Sequence, residues 1–268
     1  MKKIIKKILP KKFVNFLVYK KIVFLRNFKT ISLKGDAIEC PCCHKKFKKL
    51  ADFTQIHHLD TTVITEVHKN LICPFCHSCA RHRNICYNLS QNHSLPINNI
   101  LIIAPEFCII YYFKSRNLKF VTVDLLRDDV DFKVNIENLP FKDNSFDLII
   151  CNHVLEHVND YKKALLEIKR SIKPNGKAII SVPVNLNINE TYEDPDIISC
   201  EARFLYYGQE DHLRLFGNNF LQILENCGFK VEIVDGKNLP EKIAANVSIE
   251  NDPRPYTNNL VYFCQKQS

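Results

Sequence analysis

The sequence predicts an α/β fold: a doubly wound, mostly parallel, seven-stranded sheet, with a small cysteine-rich module and a basic helical arm on its N-terminal side. Three observations predict it. From Ile97 onward, apolar β-prone runs alternate with amphipathic helical stretches, which is the pattern of βαβ units. Seven of the 12 cysteines fall between Cys40 and Cys86, grouped in C-x-x-C pairs. The first 50 residues hold 15 Lys/Arg against two acidic residues, Asp36 and Glu39, whereas the rest of the chain holds 22 against 27. The net charge of +8 is therefore a property of the N-terminal arm and not of the sheet.

The elements follow in order. Residues 1–35 form the arm: Ile4, Ile5, Ile8 and Leu9 recur at helical spacing with Lys2, Lys3, Lys6 and Lys7 opposite. After Pro10, the series Phe13, Val14, Leu17, Val18, Ile22 and Leu25 continues the pattern. Such a helix suits an anionic membrane surface through residues 1–30, a nucleic-acid contact, or packing on its own protein. Residues 36–92 form the cysteine module, with a β-branched strand over 61–67 and a helix from Cys79 to Gln91 capped by Ser78. Residues 93–268 form the sheet domain. Its strands are expected at 99–103, 119–124, 133–136, 148–152 and 177–184, and its helices at 108–115, 160–172 and 218–227. Lys173-Pro174-Asn175-Gly176 stops the second of these helices, and Gly228 ends the third. Strands 229–234 and 260–264 close the sheet as an antiparallel pair.

No apolar run reaches the roughly 18 residues of a membrane span. The apolar stretch Phe13–Tyr19 is short and flanked by lysine pairs, unlike a signal peptide. A cytoplasmic location follows as the expectation, with the arm able to hold the protein peripheral to the inner membrane face.

Cys40-Pro41-Cys42-Cys43 and Cys73-Pro74-Phe75-Cys76 share the form Cys-Pro-x-Cys. Each places two thiolates on one tight turn, and two such turns make a closed tetrahedral set, the mark of structural zinc. Cys40, Cys43, Cys73 and Cys76 are the expected ligands. Cys42 and Cys79 are spare thiols, and His44 and His77 are read as turn residues. A module this small needs the metal to fold.

The segment from Ser145 to Val158 reads SFDLIICNHVLEHV: a buried strand entered from a turn, with Asn152, His153, Glu156 and His157 just past its C-terminal end. In open α/β sheets that edge is where ligands bind. The segment resembles the region after strand 4 of class I S-adenosylmethionine (SAM)-dependent methyltransferases. With the two Cys-Pro-x-Cys pairs and Ala104-Pro105-Glu106, the chain resembles the type 11-like group with an N-terminal zinc-ribbon-like module, from about residue 38 to 235. The resemblance implies a Rossmann-like sheet that binds SAM through Ala104, Glu106, Asp124, Ile136, Asn152 and His153. It implies His153 and His212 as candidate catalytic residues, the latter within Asp211-His212-Leu213-Arg214 before the last helix. Arg214 reads equally well as half of an Arg–carboxylate pair tying down a turn.

Two departures stand out. No glycine lies between Gly35 and Gly176, so Ala104 occupies the place of the usual glycine loop. Asn135 stands where the family pattern has Asp. The resemblance implies the reaction and not the substrate; the first reading takes the acceptor as a small molecule or a glycan or cell-surface precursor. One alternative is an RNA methyltransferase with a zinc module, favoured by the basic arm. Another is a zinc-dependent interaction protein with a degenerate SAM site, favoured by the missing glycines.

Overall fold

A computed structural model of the chain describes residues 30–91, 98–244 and 259–267. The expected arm therefore lies outside the described residues, apart from its last few positions. Four strands build the N-terminal module: β1 (Lys34–Glu39) and β2 (Lys46–Phe47) pair antiparallel, as do β3 (Ala51–His58) and β4 (Val63–Ile72). The expected strand over 61–67 is the second arm of the β3–β4 hairpin. Helix α1 (Ala80–Gln91) follows.

The main sheet is built from β5 (Ile100–Ile103), β6 (Phe120–Asp124), β7 (Phe132–Lys133), β8 (Phe146–Asn152), β9 (Ile172–Ser181), β12 (Phe229–Asp235) and β13 (Leu260–Lys266). Their order across the sheet is β12-β13-β9-β8-β5-β6-β7. The first five strands in the chain are parallel, and β13 runs antiparallel between β9 and β12. This is the doubly wound, Rossmann-like sheet of seven strands that the sequence predicts. Helices α2 (Phe107–Lys114), α3 (Tyr161–Ser171), α4 (Cys200–Tyr207), α5 (Phe220–Asn226) and the short α6 (Glu241–Ala244) complete it, with a parallel pair of two-residue strands, β10 (Val184–Asn185) and β11 (Phe216–Gly217). β9 begins at Ile172, earlier than expected: the Lys173–Gly176 stretch ends α3 and enters the strand through a register shift against β8.

The near-continuous apolar runs of β5 and β8 follow from burial on both faces. Leu101, Ile103, Ile149 and Cys151 face one core with Leu165 and Ile168 of α3 and Phe220 and Leu224 of α5. Ile100, Ile102, Leu148 and Ile150 face the other, with Ile85 of α1 and Ile109 and Phe113 of α2. Cys40, Cys43, Cys73, Cys76 and Phe47 belong to that second core. The cysteine module and the sheet thus share apolar contacts; α1, placed in the module by sequence, packs against α2 and β13.

The chain runs from β5 to β7 toward one edge and then returns through β8 and β9 toward the other. The reversal between β5 and β8 opens a crevice at their carboxyl ends.

Candidate functional site

A cavity of about 280 Å³ lies in this crevice. The ends of β5 and β6 contribute Ile103, Ala104, Val123 and Asp124; the turn after β7 contributes Asn135 and Ile136; the loop after β8 contributes His153, Val154, His157 and Val158. Ala104 has φ +47° and its N–H donates to the Val123 carbonyl at 2.8 Å. A side chain in the left-handed region is strained by roughly 1–2 kcal/mol. Ala104 thus adopts the conformation that a glycine would take in such a loop. His153 is likewise left-handed, φ +53°. Two of the strand ends that face the crevice, those of β5 and β8, therefore carry left-handed backbone, and binding sites often store strain in this way.

Asp124 Oδ1 accepts from the N–H groups of Leu126 and Arg127 at 2.8 and 3.0 Å. These bonds form a strand-end turn and hold the carboxylate at the rim. Asn135 Oδ1 accepts from Glu137 N–H at 2.9 Å, capping the short turn that carries the buried Ile136.

Glu106 and Asn152 do not line this crevice. Asn152 Nδ2 donates to Glu106, and Ser181 Oγ donates to Asn152 Oδ1. Glu106 also pairs with His82 at 2.6 Å and Arg81 at 3.0 Å. Burial would push its carboxyl up, but His82 and Arg81 outweigh that and hold it down at about 2. Burial opposes charge on His82 as well, yet Cys108, Cys79 and Glu106 raise its pKa well above the ordinary value. The sequence suggests Glu106 for the cofactor's amino end; the structure pairs it with two cationic side chains of α1. Their signal was the Arg81-His82-Arg83 run at the start of α1.

Glu106, Arg81 and His82 wall a second cavity of about 370 Å³. The β3–β4 hairpin supplies Phe53, Gln55 and His68; the second cysteine turn and α1 supply His77, Cys79, Arg81 and His82; the sheet side supplies Glu106, His153, Gln209 and His212. The hairpin is docked across it by His57, which pairs with Glu210 at 2.7 Å, and by Thr61 N–H, which donates to Glu201 on α4 at 2.6 Å. Neither the full hairpin nor α4 was expected from sequence. His153 is the one residue that lines both cavities among the described residues. Burial, reinforced by Arg81, His212 and His82, lowers its pKa well below the ordinary value, so the ring is neutral.

Glu156 is fully buried, and burial raises its carboxyl to about 7 despite the nearby His157. His212, also buried, is lowered to about 4 by burial and by His157. Arg214 is buried and donates to five acceptor atoms. Nε and Nη2 fork onto Glu193 at 2.9 and 2.8 Å, while the guanidinium also meets the carbonyls of Leu155, Val158 and Asn159 at 2.8, 2.6 and 3.0 Å. It clamps the loop that holds Glu156 and His157.

The four expected metal ligands converge. Cys40 Sγ is 3.6 Å from Cys76 Sγ and Cys43 Sγ is 3.7 Å from Cys73 Sγ, all four buried. Two thiolates on one tetrahedral zinc, with Zn–S about 2.3 Å, stand roughly 3.8 Å apart. The four sulfurs therefore fit such an ion. Each turn closes alike, with His44 N–H donating to Cys40 O at 2.7 Å and His77 N–H to Cys73 O at 3.0 Å. Both histidines are left-handed, φ 56° and 59°, as turn residues. Cys42 Sγ, facing the His82 carbonyl at 3.4 Å, stays outside the set.

Residues 114–180 match the family model described as a methyltransferase domain. A protein of Methanocaldococcus jannaschii is 62% identical over 48 residues, 18% of this chain and 21% of that protein. The ubiquinone/menaquinone biosynthesis C-methyltransferase UbiE of Idiomarina loihiensis is 39% identical over 64 residues, 23% of this chain and 26% of the relative. The chain thus spans about a quarter or less of the length of these curated relatives. Among solved structures, the YcgJ protein of Bacillus subtilis aligns with a TM-score of 0.46 at 15% identity, covering 70% of this chain and 100% of that one. The matched family segment runs from the end of α2 through β9, which contains the β8 region that carries the sequence resemblance. The resemblance to class I SAM-dependent methyltransferases therefore holds over that segment.

Proposed function

We propose that this chain is a SAM-dependent methyltransferase, with SAM in the crevice at the carboxyl ends of β5, β6 and β8 and the methyl acceptor in the adjoining chamber. The observation that carries the reading is His153, which lines both cavities. A methyl group passing from one to the other passes beside it. Methyl transfer is an in-line displacement, so its main requirement is that both reactants be held in line. Ala104 lets the cofactor approach the β5 backbone, and Asp124 Oδ2, the oxygen outside the strand-end turn, accepts from the ribose hydroxyls. Ile136 packs beside adenine. The neutral His153 takes a proton from the acceptor where the acceptor must lose one.

The acceptor is a small polar molecule, which includes a glycan precursor. A chamber of about 370 Å³ is in the range of small-molecule sites. Arg81 and His82 face Glu106 and the Cys79 thiol, lowered to about 6 against its burial by Arg81 and His82, so the wall carries charges of both signs, which favours a polar, hydrogen-bonding acceptor. Cys40, Cys43, Cys73 and Cys76 hold structural zinc, and the module that this zinc folds supplies half of the chamber wall. Among the described residues no helix is long and apolar enough to cross a membrane. The basic arm holds the protein at an anionic membrane surface.

Titrating SAM into the purified full chain by calorimetry tests the reading. Saturable binding at one SAM per chain is expected. A folded, zinc-replete protein that binds no SAM would return the chain to the non-enzymatic alternative. Transfer of labelled methyl to a small-molecule extract and to total RNA, run side by side, separates the two acceptor classes.

A further inference from the structure

We propose that Glu156, His157 and His212 form a second metal site, for a first-row divalent ion, between the crevice and the chamber. One donor atom from each residue lies within 4.8 Å of the others. His157 sits on the loop after β8 and lines the crevice, whereas His212 lines the chamber. An ion held by both stands where cofactor and acceptor meet. Its bearing on methyl transfer rests on the function proposed above; its existence does not.

Glu156 carries the argument. Its side chain is 1% exposed, and neither carboxylate oxygen has a hydrogen-bond partner. Buried carboxylates are costly unless paired, bonded or bound to metal. His153 Nδ1 is 3.3 Å from Oε1 but is not aligned for a hydrogen bond. The two imidazoles are set as metal-ligating histidines usually are. His157 Nδ1 lies 3.3 Å from the Asp211 carbonyl oxygen and 3.3 Å from its carboxylate. His212 Nδ1 lies 3.2 Å from the Tyr207 carbonyl oxygen. A ring that donates Nδ1–H to such a partner has its tautomer fixed and offers Nε2 as the ligating nitrogen. The two rings meet edge to face, 4.8 Å between centroids. Two imidazoles and one carboxylate are borderline donors that suit divalent iron, cobalt, zinc or manganese better than magnesium or calcium. The set has no sulfur, so it is chemically distinct from the cysteine site. Three ligands leave coordination positions open, and the chamber gives an oxygen-bearing acceptor access to them.

The test uses full-length protein expressed with zinc, so that the four cysteines are filled, and titrated with Co²⁺. The expected result is one further equivalent of metal per chain. Its visible spectrum should be that of nitrogen and oxygen ligation, without thiolate-to-cobalt charge transfer, and zinc should be retained. Glu156→Gln and His157→Ala should each abolish this uptake and keep the zinc. No saturable uptake by the wild type overturns the proposal, as does uptake accompanied by zinc release and thiolate charge transfer. So does uptake equal to the wild type in both variants. Should Glu156→Gln fail to fold by circular dichroism, His157→Ala decides, because its ring is 30% exposed and tolerates truncation. SAM calorimetry on the same samples separates the two ideas. Cobalt uptake without SAM binding refutes the methyltransferase reading alone; SAM binding without cobalt uptake refutes the metal site alone.

Discussion

Replacing Arg214 by Met should destabilise the chain by about 3–5 kcal/mol and weaken SAM binding as well. The side chain is 1% exposed, and its guanidinium satisfies three main-chain carbonyls of the loop after β8, those of Leu155, Val158 and Asn159. Met fills much of the volume but donates nothing. An acceptor left buried without a partner costs about 1–3 kcal/mol. Asn159 is exposed, so water recovers part of its loss, whereas Leu155 is fully buried. The fork onto Glu193 adds little, because that carboxylate is 43% exposed and its pairing is screened. Two to three orphaned carbonyls therefore set the magnitude, which is a large share of a typical domain's 5–15 kcal/mol. Arg214→Lys should recover only part, since an ammonium cannot span the same fork. Glu193→Gln, the control, should cost under about 1 kcal/mol. Urea unfolding gives the stabilities, and calorimetry gives the SAM affinity, because His157, Val158 and Asn159 of the clamped loop line the crevice. An Arg214→Met protein with two-state unfolding, less than about 1 kcal/mol of loss and unchanged SAM affinity would refute the clamp.

Four further outcomes are expected. The wild type should carry one zinc per chain by elemental analysis, and Cys73→Ser with Cys76→Ser should abolish it. Because the four cysteines share a core with Ile100 and Ile150, metal loss should lower the unfolding midpoint of the sheet too; an unchanged midpoint would make the module independent. Asp124→Ala should weaken SAM binding by about 1–3 kcal/mol, and equal affinity in a folded variant would take Asp124 out of the site. Ala104→Gly should stabilise the chain by up to about 1 kcal/mol in urea, since it relieves the strain at φ +47°; a loss of stability would mean that the methyl group packs better than it strains. Deleting residues 2–29 should abolish binding to anionic vesicles and leave SAM affinity intact. Each lysine near an acidic surface contributes about 1 kcal/mol, so sedimentation should fall with added salt, and vesicle binding that survives the deletion would clear the arm of this role.

The sheet was legible because its signal is local and strong. Ile100–Ile103 and Leu148–Ile150 are apolar runs too short for helices, and turn residues bound them. The cysteine site was legible for the same reason: C-x-x-C fixes two ligands on one turn before any tertiary contact forms. The chamber was not legible. Its walls come from β3, α1 and the loop before β11, which are far apart in the chain. Arg81 and His82 belong to no motif in the sequence, and only the fold brings Glu106 to them. The position of Glu106 after β5 suggests the crevice, whereas the structure places its side chain beside Arg81 and His82 of α1. The Arg214 clamp lay between the two cases, with the Arg–carboxylate pair visible in the sequence and the three carbonyls not.

The missing glycines have a physical resolution. Among the described residues, eight non-glycine positions have positive φ: His44, Asn70, His77, Ala104, Asn117, Asn144, His153 and Asn175. Seven are Asn or His, the residue types that enter the left-handed region most readily after glycine. The turns of this chain are thus built with polar side chains where other proteins use glycine. At Asn70, Asn144 and His44 the side chain supplies a hydrogen bond. At His153 it does more, because the turn that ends β8 must project something between crevice and chamber, and glycine would project nothing. Ala104 is the exception that fits neither group: it has no polar atom to repay the strain. A methyl group is the smallest side chain that an L-residue can place there. At the β5 end, then, close backbone approach is kept at a cost in strain, which accords with the SAM site proposed there.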